Sequence, residues 1–382
     1  MKRHFIIAIA AVLAFGSSLT ASAQEQFSVT TLNVDGLPKR ILVFNVNADG
    51  PGDAGSARIG KYLMKKNHDL IFMQEDFNYH EVLKVLLEDS YKLDEWTGDV
   101  EVLDHEIDFL HLQNHRFACD GLMACWKNDL TVTPAPRTAW TQSFGKFSHA
   151  MDEMVTKGFR RYEVTLKGGH RLVVYNMHMD ASDDADVDDG VDTMDKEARM
   201  AQWMQLKEDI LSQLDARPVI VLGDVNSLYR RDDVKKQFID AIAETGRATV
   251  SDVFIELQKD GKYPEYDKDA QVKDEDGDVL GGETLDKILY INPTLGTQLK
   301  PVSFRVEKED YLYEGKPLGD HYPLSATFEI MRSTGISTTL QDEGEKSGDK
   351  VVYDLSGRRV SQPHGGFYIE QSGEKANKRI IK

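Results

Sequence analysis

The stretch from Lys196 to Asn226 constrains the fold more than any other part of the chain. Met200, Trp203, Met204, Ile210, Leu211 and Leu214 recur at helical spacing, so Lys196 to Leu214 is predicted to be a helix with one apolar face. Pro218 stops it, because proline has no N–H to donate and its ring clashes with the preceding turn. Val219-Ile220-Val221-Leu222 comes at once after it, and a run with no polar alternation reads as a strand buried on both faces. A helical stretch from Ser56 to Lys66 likewise leads into Leu70-Ile71-Phe72-Met73. An extended stretch ends at Leu32-Asn33, and Arg171 to Tyr175, Ile288 to Ile291 and Leu324 to Ile330 supply further strands. Short buried strands alternating with helices predict a layered α/β domain with helices outside.

The two ends read differently from this core. Lys2 and Arg3 precede an apolar run, Phe5 to Phe15, and Ala21-Ser22-Ala23 offers a small-residue cleavage site, so residues 1–23 are expected to be a signal peptide. The run is shorter than the roughly 20 residues of a spanning helix, which points to a secreted or periplasmic mature chain. The main domain is expected over residues 24–332. Ser333 to Lys350 has the polar, charged texture of a linker, and 351–382 carries strand-like pieces around Ser356-Gly357 and Gly365-Gly366 turns. Tyr353 to Arg359 resembles the short β-rich tails of secreted bacterial proteins.

The chain holds 64 acidic and 46 basic residues, a net charge of −18, which weighs against tight binding of a phosphate backbone. Its two cysteines, Cys119 and Cys125, flank an Asp120-Gly121 step. A turn there would allow a disulfide, whereas a straight strand would hold them about 20 Å apart, and the sequence leaves both open. Asp180 to Asp195 contains eight aspartates, but its alternation of Asp184, Asp186 and Asp188 puts Asp189 at the sixth position, where a calcium loop needs glycine. A solvated loop is the expectation there.

Chemically able residues cluster where the apolar runs end, which is where sites form in layered α/β folds. The motifs are Leu32-Asn33-Val34-Asp35-Gly36, Met73-Gln74-Glu75-Asp76, Tyr175-Asn176-Met177-His178-Met179-Asp180 and Leu222-Gly223-Asp224-Val225-Asn226-Ser227. The last is the pair Leu285-Asp286 with Gly319-Asp320-His321-Tyr322-Pro323. Each alone is weak. In this order, over roughly residues 27 to 330, they resemble the exonuclease-endonuclease-phosphatase family. Gln74-Glu75-Asp76-Phe77 and Lys157-Gly158-Phe159 are most similar to its bacterial neutral sphingomyelinase-like branch. Lys287-Ile288-Leu289 lacks the wording of the inositol-phosphate phosphatases, and Gly319 stands where many relatives have serine.

The resemblance implies a two-sheet α/β sandwich with outer helices, the site at one edge between the sheets, and a small β-rich C-terminal tail. It implies Mg²⁺, with Mn²⁺ as a substitute, held by Glu75 with Asn33, Asp320 and Asp35. His321 takes the place of the general base and Asp286 that of its partner; Asp224 and Asn226 orient the water and phosphoryl group. His178, Asn33 and Asn226 contact that group. The implied reaction is hydrolysis of a phospholipid headgroup ester, in sphingomyelin or ceramide phosphoethanolamine, with transient contact to a membrane. A secreted nuclease using the same site is the alternative. Tyr311-Leu312-Tyr313, before His321, are expected either to meet the membrane as a hairpin or to pack in the sandwich.

Overall fold

The structure, a computed structural model, describes residues 25–41, 44–98, 117–146, 149–181, 193–227, 234–258, 261, 285–331, 350–353, 360, 366–372 and 375–381. The leader 1–23, positions 333–349 of the polar stretch and the Asp184, Asp186, Asp188 alternation lie outside the described residues. The strands in chain order begin with β1 (Gln26–Asn33), β2 (Arg40–Ile41), β3 (Phe44–Asn45), β4 (Leu70–Gln74), β5 (Tyr91–Leu93) and β6 (Met123–Lys127). Next come β7 (Thr131–Ala139), β8 (Gly158–Thr165), β9 (Arg171–His178), β10 (Val219–Asp224), β11 (Ala248–Asp252) and β12 (Asp286–Pro293). The domain closes with β13 (Gln298–Val306), β14 (Leu312–Tyr313), β15 (Lys316–Pro317) and β16 (Leu324–Met331). The helices are α1 (Gly52–Lys66), α2 (His80–Leu87), α3 (Thr193–Gln213), the short α4 (Ala241–Ala243) and α5 (Val253–Gln258).

Two six-stranded sheets carry the fold, in the orders β13-β16-β1-β4-β6-β5 and β11-β12-β10-β9-β8-β7. Each has one parallel pair near its centre, β1 with β4 and β9 with β10, amid antiparallel neighbours. The expected α/β sandwich is therefore what forms. The apolar runs read as strands extend two to three residues further than their hydrophobicity: β9 continues through Asn176 to His178, and β10 through Gly223 to Asp224. Those extra positions are buried, so Asn176, His178 and Asp224 lie within the ladders rather than in loops.

The pleat decides which way each of them points, since successive side chains alternate between faces. Tyr175 donates its hydroxyl to Asp209 on α3 (2.7 Å), so it faces the outer helix. Its neighbour Asn176 faces the other sheet. It accepts a bond from Gln74 Nε2 (2.6 Å) and donates to the carbonyls of Met73 and Met123. Gln74 in turn pairs with Thr31 through both ends of its amide. On the opposite face of the first sheet, Leu32, Ile71 and Met73 join Ile59 and Leu63 of α1 and Leu83 of α2 in a separate apolar cluster. The inter-sheet layer thus contains a buried polar stitch inside a large core that includes Val29, Phe72, Ile220, Ile288 and Phe328.

Two open expectations are settled by the packing. Cys119 and Cys125 are not disulfide-bonded: Cys125 sits in β6 against the helix-side core, while Cys119 packs with Phe77 and Val155. Tyr311 is fully buried, edge-on to Tyr62 of α1 with ring centres 5.0 Å apart, which settles that residue on the packing alternative. Leu312 and Tyr313, in contrast, are 40% and 45% exposed on the β14–β15 hairpin. Among the described C-terminal residues, β17 (Lys350–Tyr353), β18 (Gly366–Ser372) and β19 (Lys375–Ile381) form a small antiparallel sheet of their own.

The stitch gives a direct test of what joins the two sheets. Asn176→Ala leaves the Met73 and Met123 carbonyls and the Gln74 amide buried without that partner. The expected cost is about 3 kcal/mol in chemical denaturation, since each stranded polar group costs roughly 1–3 kcal/mol. A loss below about 1 kcal/mol would show that the stitch does not hold the sheets together.

Candidate functional site

Register places the motif residues opposite one another. Asn33 lies beside Gln74 at the ends of β1 and β4, and Asp224 lies beside both His178 and Asp286. Since Gln74 and Asn176 face the inter-sheet layer, strand alternation sends Asn33, His178, Asp224 and Asp286 to the same side. The two sets meet at Asn33, whose amide nitrogen donates to Glu75 Oε1 at 2.9 Å and to Asp224 Oδ2 at 3.1 Å. One side chain thus ties a carboxylate of the first sheet to a carboxylate of the second.

His321 reaches this point from the segment between β15 and β16. Its Nδ1 is 2.7 Å from Asp286 Oδ2, and its Nε2 faces Asp224 Oδ2 at 3.6 Å. Burial alone lowers an imidazole's pKa, but Asp286, Asp224 and Asp320 together hold His321 well above the usual histidine value. His178 has the opposite fate: burial, then Lys157 and His321, push it well below, so its ring is neutral. Its Nε2 lies 3.4 Å from Asp224 and 4.0 Å from Glu75. Both expected histidines are therefore at the site, in different charge states fixed by their surroundings.

Three site residues sit in left-handed backbone, Asp35 at φ +52°, Glu75 at +55° and Asn226 at +47°. Such backbone costs a non-glycine residue roughly 1–2 kcal/mol, and it persists only where neighbours enforce it. At Asp35 and Asn226 a side chain two residues back does so: Asn33 Oδ1 accepts the Asp35 N–H, and Asp224 Oδ1 accepts the Asn226 N–H. Asn226 also donates its amide to the Met179 carbonyl. At Glu75 two glycines close in. A methyl group on Gly36 would meet the Glu75 carbonyl at 2.1 Å, and one on Gly121 would meet Phe77 at 2.6 Å and the Glu75 Cα at 3.1 Å.

Glu75, Asp35 and Asp320 form the acidic side of the cleft. Burial and then Asp320 push both Glu75 and Asp35 up to about 7. Asp35 is also bonded by the Asn47 amide and by the Asp320 backbone N–H. Crowded carboxylates of this kind, hard-oxygen donors with no thiolate among them, fit a divalent cation such as Mg²⁺. Asp224, Asp286 and His321 are a second set, with ligand atoms within 4.8 Å of one another. There the His321 Nδ1 is already committed to Asp286.

Lys157 stands out in the sequence only as part of a family-like segment, and its place in the site is not foreseeable there. It is buried, paired with the buried Asp152. Burial works against its charge, but Asp152 and then Glu75 and Asp180 raise its pKa, so it is a fixed ammonium beside the acidic cleft. No apolar periodicity marks such a residue; the one available signal is a lysine directly preceding the buried Gly158-Phe159 start of β8.

No family model matches the chain. A curated Mycobacterium bovis protein named sphingomyelinase is 25% identical over 327 residues, 85% of this chain and 57% of that protein. The chain thus spans little more than half the length of the relatives it matches. Among solved structures, D. rerio TDP2 complexed with a single-strand DNA product is 18% identical, covering 80% of this chain and 100% of that one with a TM-score of 0.53. An endonuclease/exonuclease/phosphatase from Bacteroides vulgatus is 15% identical over 81% of this chain and 100% of that one, with a TM-score of 0.51.

The crowded carboxylates make a measurable pH signature. An acid whose folded pKa is raised, as for Glu75 from 4.5 to about 7, contributes stability below pH 4.5 that is lost as pH rises through 7. Glu75→Gln should therefore leave the metal-free protein unchanged near pH 4 and stabilise it on the order of 2–3 kcal/mol at pH 8. Equal stability of variant and parent at pH 8 would show that Glu75 is not held against repulsion.

The chain thus shares its fold with an endonuclease/exonuclease/phosphatase and is similar in sequence to proteins named sphingomyelinase.

Proposed function

We propose that this protein is a metal-dependent phosphodiesterase that hydrolyses the headgroup ester of a sphingolipid, sphingomyelin or ceramide phosphoethanolamine, to ceramide and the phosphorylated headgroup. The observation that carries the reading is the His321–Asp286 pair facing Asp224, with Asn33 joining Asp224 to Glu75 across the sheets. The likeness to sphingomyelinases supports the substrate class, and the charge of −18 weighs against a nucleic-acid substrate.

Glu75, with Asp35, Asp320 and Asn33, would hold Mg²⁺, or Mn²⁺ in its place. Bound there, the cation neutralises charge on the phosphoryl oxygens. The other roles fall to the chain's own groups. Asp286 fixes the His321 tautomer with the proton on Nδ1, leaving Nε2 to take a proton from water. As that water's oxygen bonds to phosphorus, the bond to the ceramide oxygen breaks; that oxygen takes up a proton from solvent, and His321 returns the proton on Nε2 to solvent. Asp224 and Asn226 orient the water and the phosphoryl group. Neutral His178 donates from Nε2 to a phosphoryl oxygen, where a charged ring would not be needed.

Export is part of the reading: Lys2, Arg3 and the apolar run after them serve as a leader, giving a secreted or periplasmic enzyme. No helix among the described residues is long and apolar enough to cross a membrane. Contact with the bilayer is assigned to the tip of the β14–β15 hairpin. Leu312 and Tyr313 are exposed there, while Tyr311 anchors the base in the core and Arg58 covers one face of the Tyr313 ring at 3.6 Å. Leu312→Ser with Tyr313→Ser should lower vesicle binding and hydrolysis of vesicle lipid while sparing a soluble short-chain substrate. Equal loss on both substrates would place the hairpin in the structure rather than at the membrane.

The experiment that tests the function compares purified protein on sphingomyelin vesicles and on plasmid DNA under one Mg²⁺ condition. Lipid turnover should be abolished by chelator and restored by Mg²⁺ or Mn²⁺, with DNA untouched. Cleavage of DNA alone would favour the nuclease reading, and full lipid turnover in excess chelator would end the metal-dependent one. The pH profile carries a further sign. Turnover needs neutral His321, whose pKa Asp286 raises, so Asp286 should shift the acidic limb of the profile to higher pH. Asp286→Asn removes the larger of the raising charges and should lower the maximum while moving that limb to lower pH.

A further inference from the structure

The left-handed backbone at Asp35 and Asn226 is explained by hydrogen bonds from side chains within the site, but Glu75 has no such bond to its own N–H among those described. The glycines around it permit the conformation and do not enforce it. The residues directly after Glu75 are better fixed than a loop normally is. Asp76 donates its N–H to the Gly121 carbonyl at 2.9 Å, and Asn78 donates to the Gly36 carbonyl at 3.0 Å. Asp76 is 1% exposed and pointed away from the cleft: its Oδ2 lies 2.7 Å from His80 Nδ1, and its Oδ1 has no hydrogen-bond partner.

His80 is the first residue of α2, four positions after Asp76, so a helix start faces back on the turn that carries Glu75. The His80 ring stacks on Trp96 with centroids 4.5 Å apart and planes 8° from parallel. Trp96 completes the circuit by donating Nε1–H to the Asp76 carbonyl at 2.7 Å. Asp76 is therefore gripped at its side chain by one ring and at its backbone by a second, and the two rings brace each other. A buried carboxylate with one oxygen bonded and the other not is costly, and an apolar residue would fill the site at less expense. The circuit fixes the peptide that leaves Glu75, and with it the direction of the Glu75 side chain.

We infer that His80 and Trp96 are positioning residues of the site, which by clamping Asp76 from both sides hold Glu75 in its left-handed backbone and aim its carboxylate at Asn33. Neither ring contacts the reacting atoms. The inference rests on the proposed reading of Glu75 as a cation ligand. Its consequence is specific: loosening the clamp weakens cation binding and leaves the chemistry at His321 unchanged once cation is saturating.

Binding of Mn²⁺ alone to the full chain, read by the electron-spin resonance of free Mn²⁺, tests this without reference to turnover. Trp96→Phe keeps an aromatic stack and removes the donor to Asp76; His80→Phe keeps the stack and removes the partner of the carboxylate. Each should raise the Mn²⁺ Kd about tenfold, the lower end of the effect of groups that support metal ligands. Turnover of sphingomyelin vesicles at saturating Mn²⁺ should stay within about twofold of the parent. His80→Asn, which places an amide nitrogen near the position of Nδ1, should recover most of the affinity. Unchanged Mn²⁺ affinity in folded Trp96→Phe would overturn the inference, as would a fall in turnover at saturating Mn²⁺ with affinity intact. Glu75→Gln separates the two levels: if it too left Mn²⁺ affinity unchanged, the assignment of Glu75 as ligand would fall, and the inference with it. If Glu75→Gln weakened binding while both ring variants did not, the clamp alone would be refuted.

Discussion

The pair of hydrogen bonds donated by the Asn33 amide is the contact on which the site depends. That amide must reach Glu75 in one sheet and Asp224 in the other, and so it sets how the two sheet edges meet. Everything that gives the two sheets a definite relation serves this contact. The Gln74–Asn176 stitch lies beside it, and the apolar layer of Phe72, Leu222 and Ile288 lies around the stitch. Since side chains alternate strictly along a strand, a one-residue slip of β1 against β4 would turn Asn33 toward α1 and leave Glu75 without its partner.

Electrostatics divide the cleft into two halves with different work. On one side Glu75 and Asp35 are raised to about 7 by burial and by Asp320, a repulsion that a divalent cation bound there would relieve. On the other, carboxylates raise His321 while burial, then Lys157, keep His178 neutral. The two histidines thus take opposite charge states. His321 has carboxylates at both ring nitrogens, whereas His178 is deeply buried, has carboxylates near Nε2 alone, and has Lys157 and His321 close by. A cation at the acidic side would also draw down the His321 pKa, so metal binding and readiness of the base are coupled in the proposed mechanism.

Much of this was legible in the sequence because the motifs occupy strand ends. The apolar runs at Leu70–Met73 and Val219–Leu222 located two central strands, and the polar residues after each run fall where the structure assembles the cleft. Periodicity could not tell that the ladders continue through Asn176 and His178, since polar residues at strand ends read as loop. Long-range pairings were hidden for the same reason: Lys157 with Asp152, Gln74 with Asn176, and the clamp on Asp76 each depend on sheet order, which no local pattern encodes. Tyr311 shows the limit from the other side. Three adjacent apolar residues read as one unit, yet the turn at Glu314-Gly315 leaves Leu312 and Tyr313 outside while Tyr311 fills a space against Tyr62.

The central claim is that His321 acts as the base for attack on a phosphodiester. Chemical rescue addresses it most directly. His321→Ala should reduce hydrolysis of sphingomyelin vesicles at least about a hundredfold, the usual scale of general-base catalysis. Added imidazole should restore part of that loss, with a pH dependence that tracks the free imidazole rather than the protein. Near-parental turnover of His321→Ala across the pH range would contradict the account.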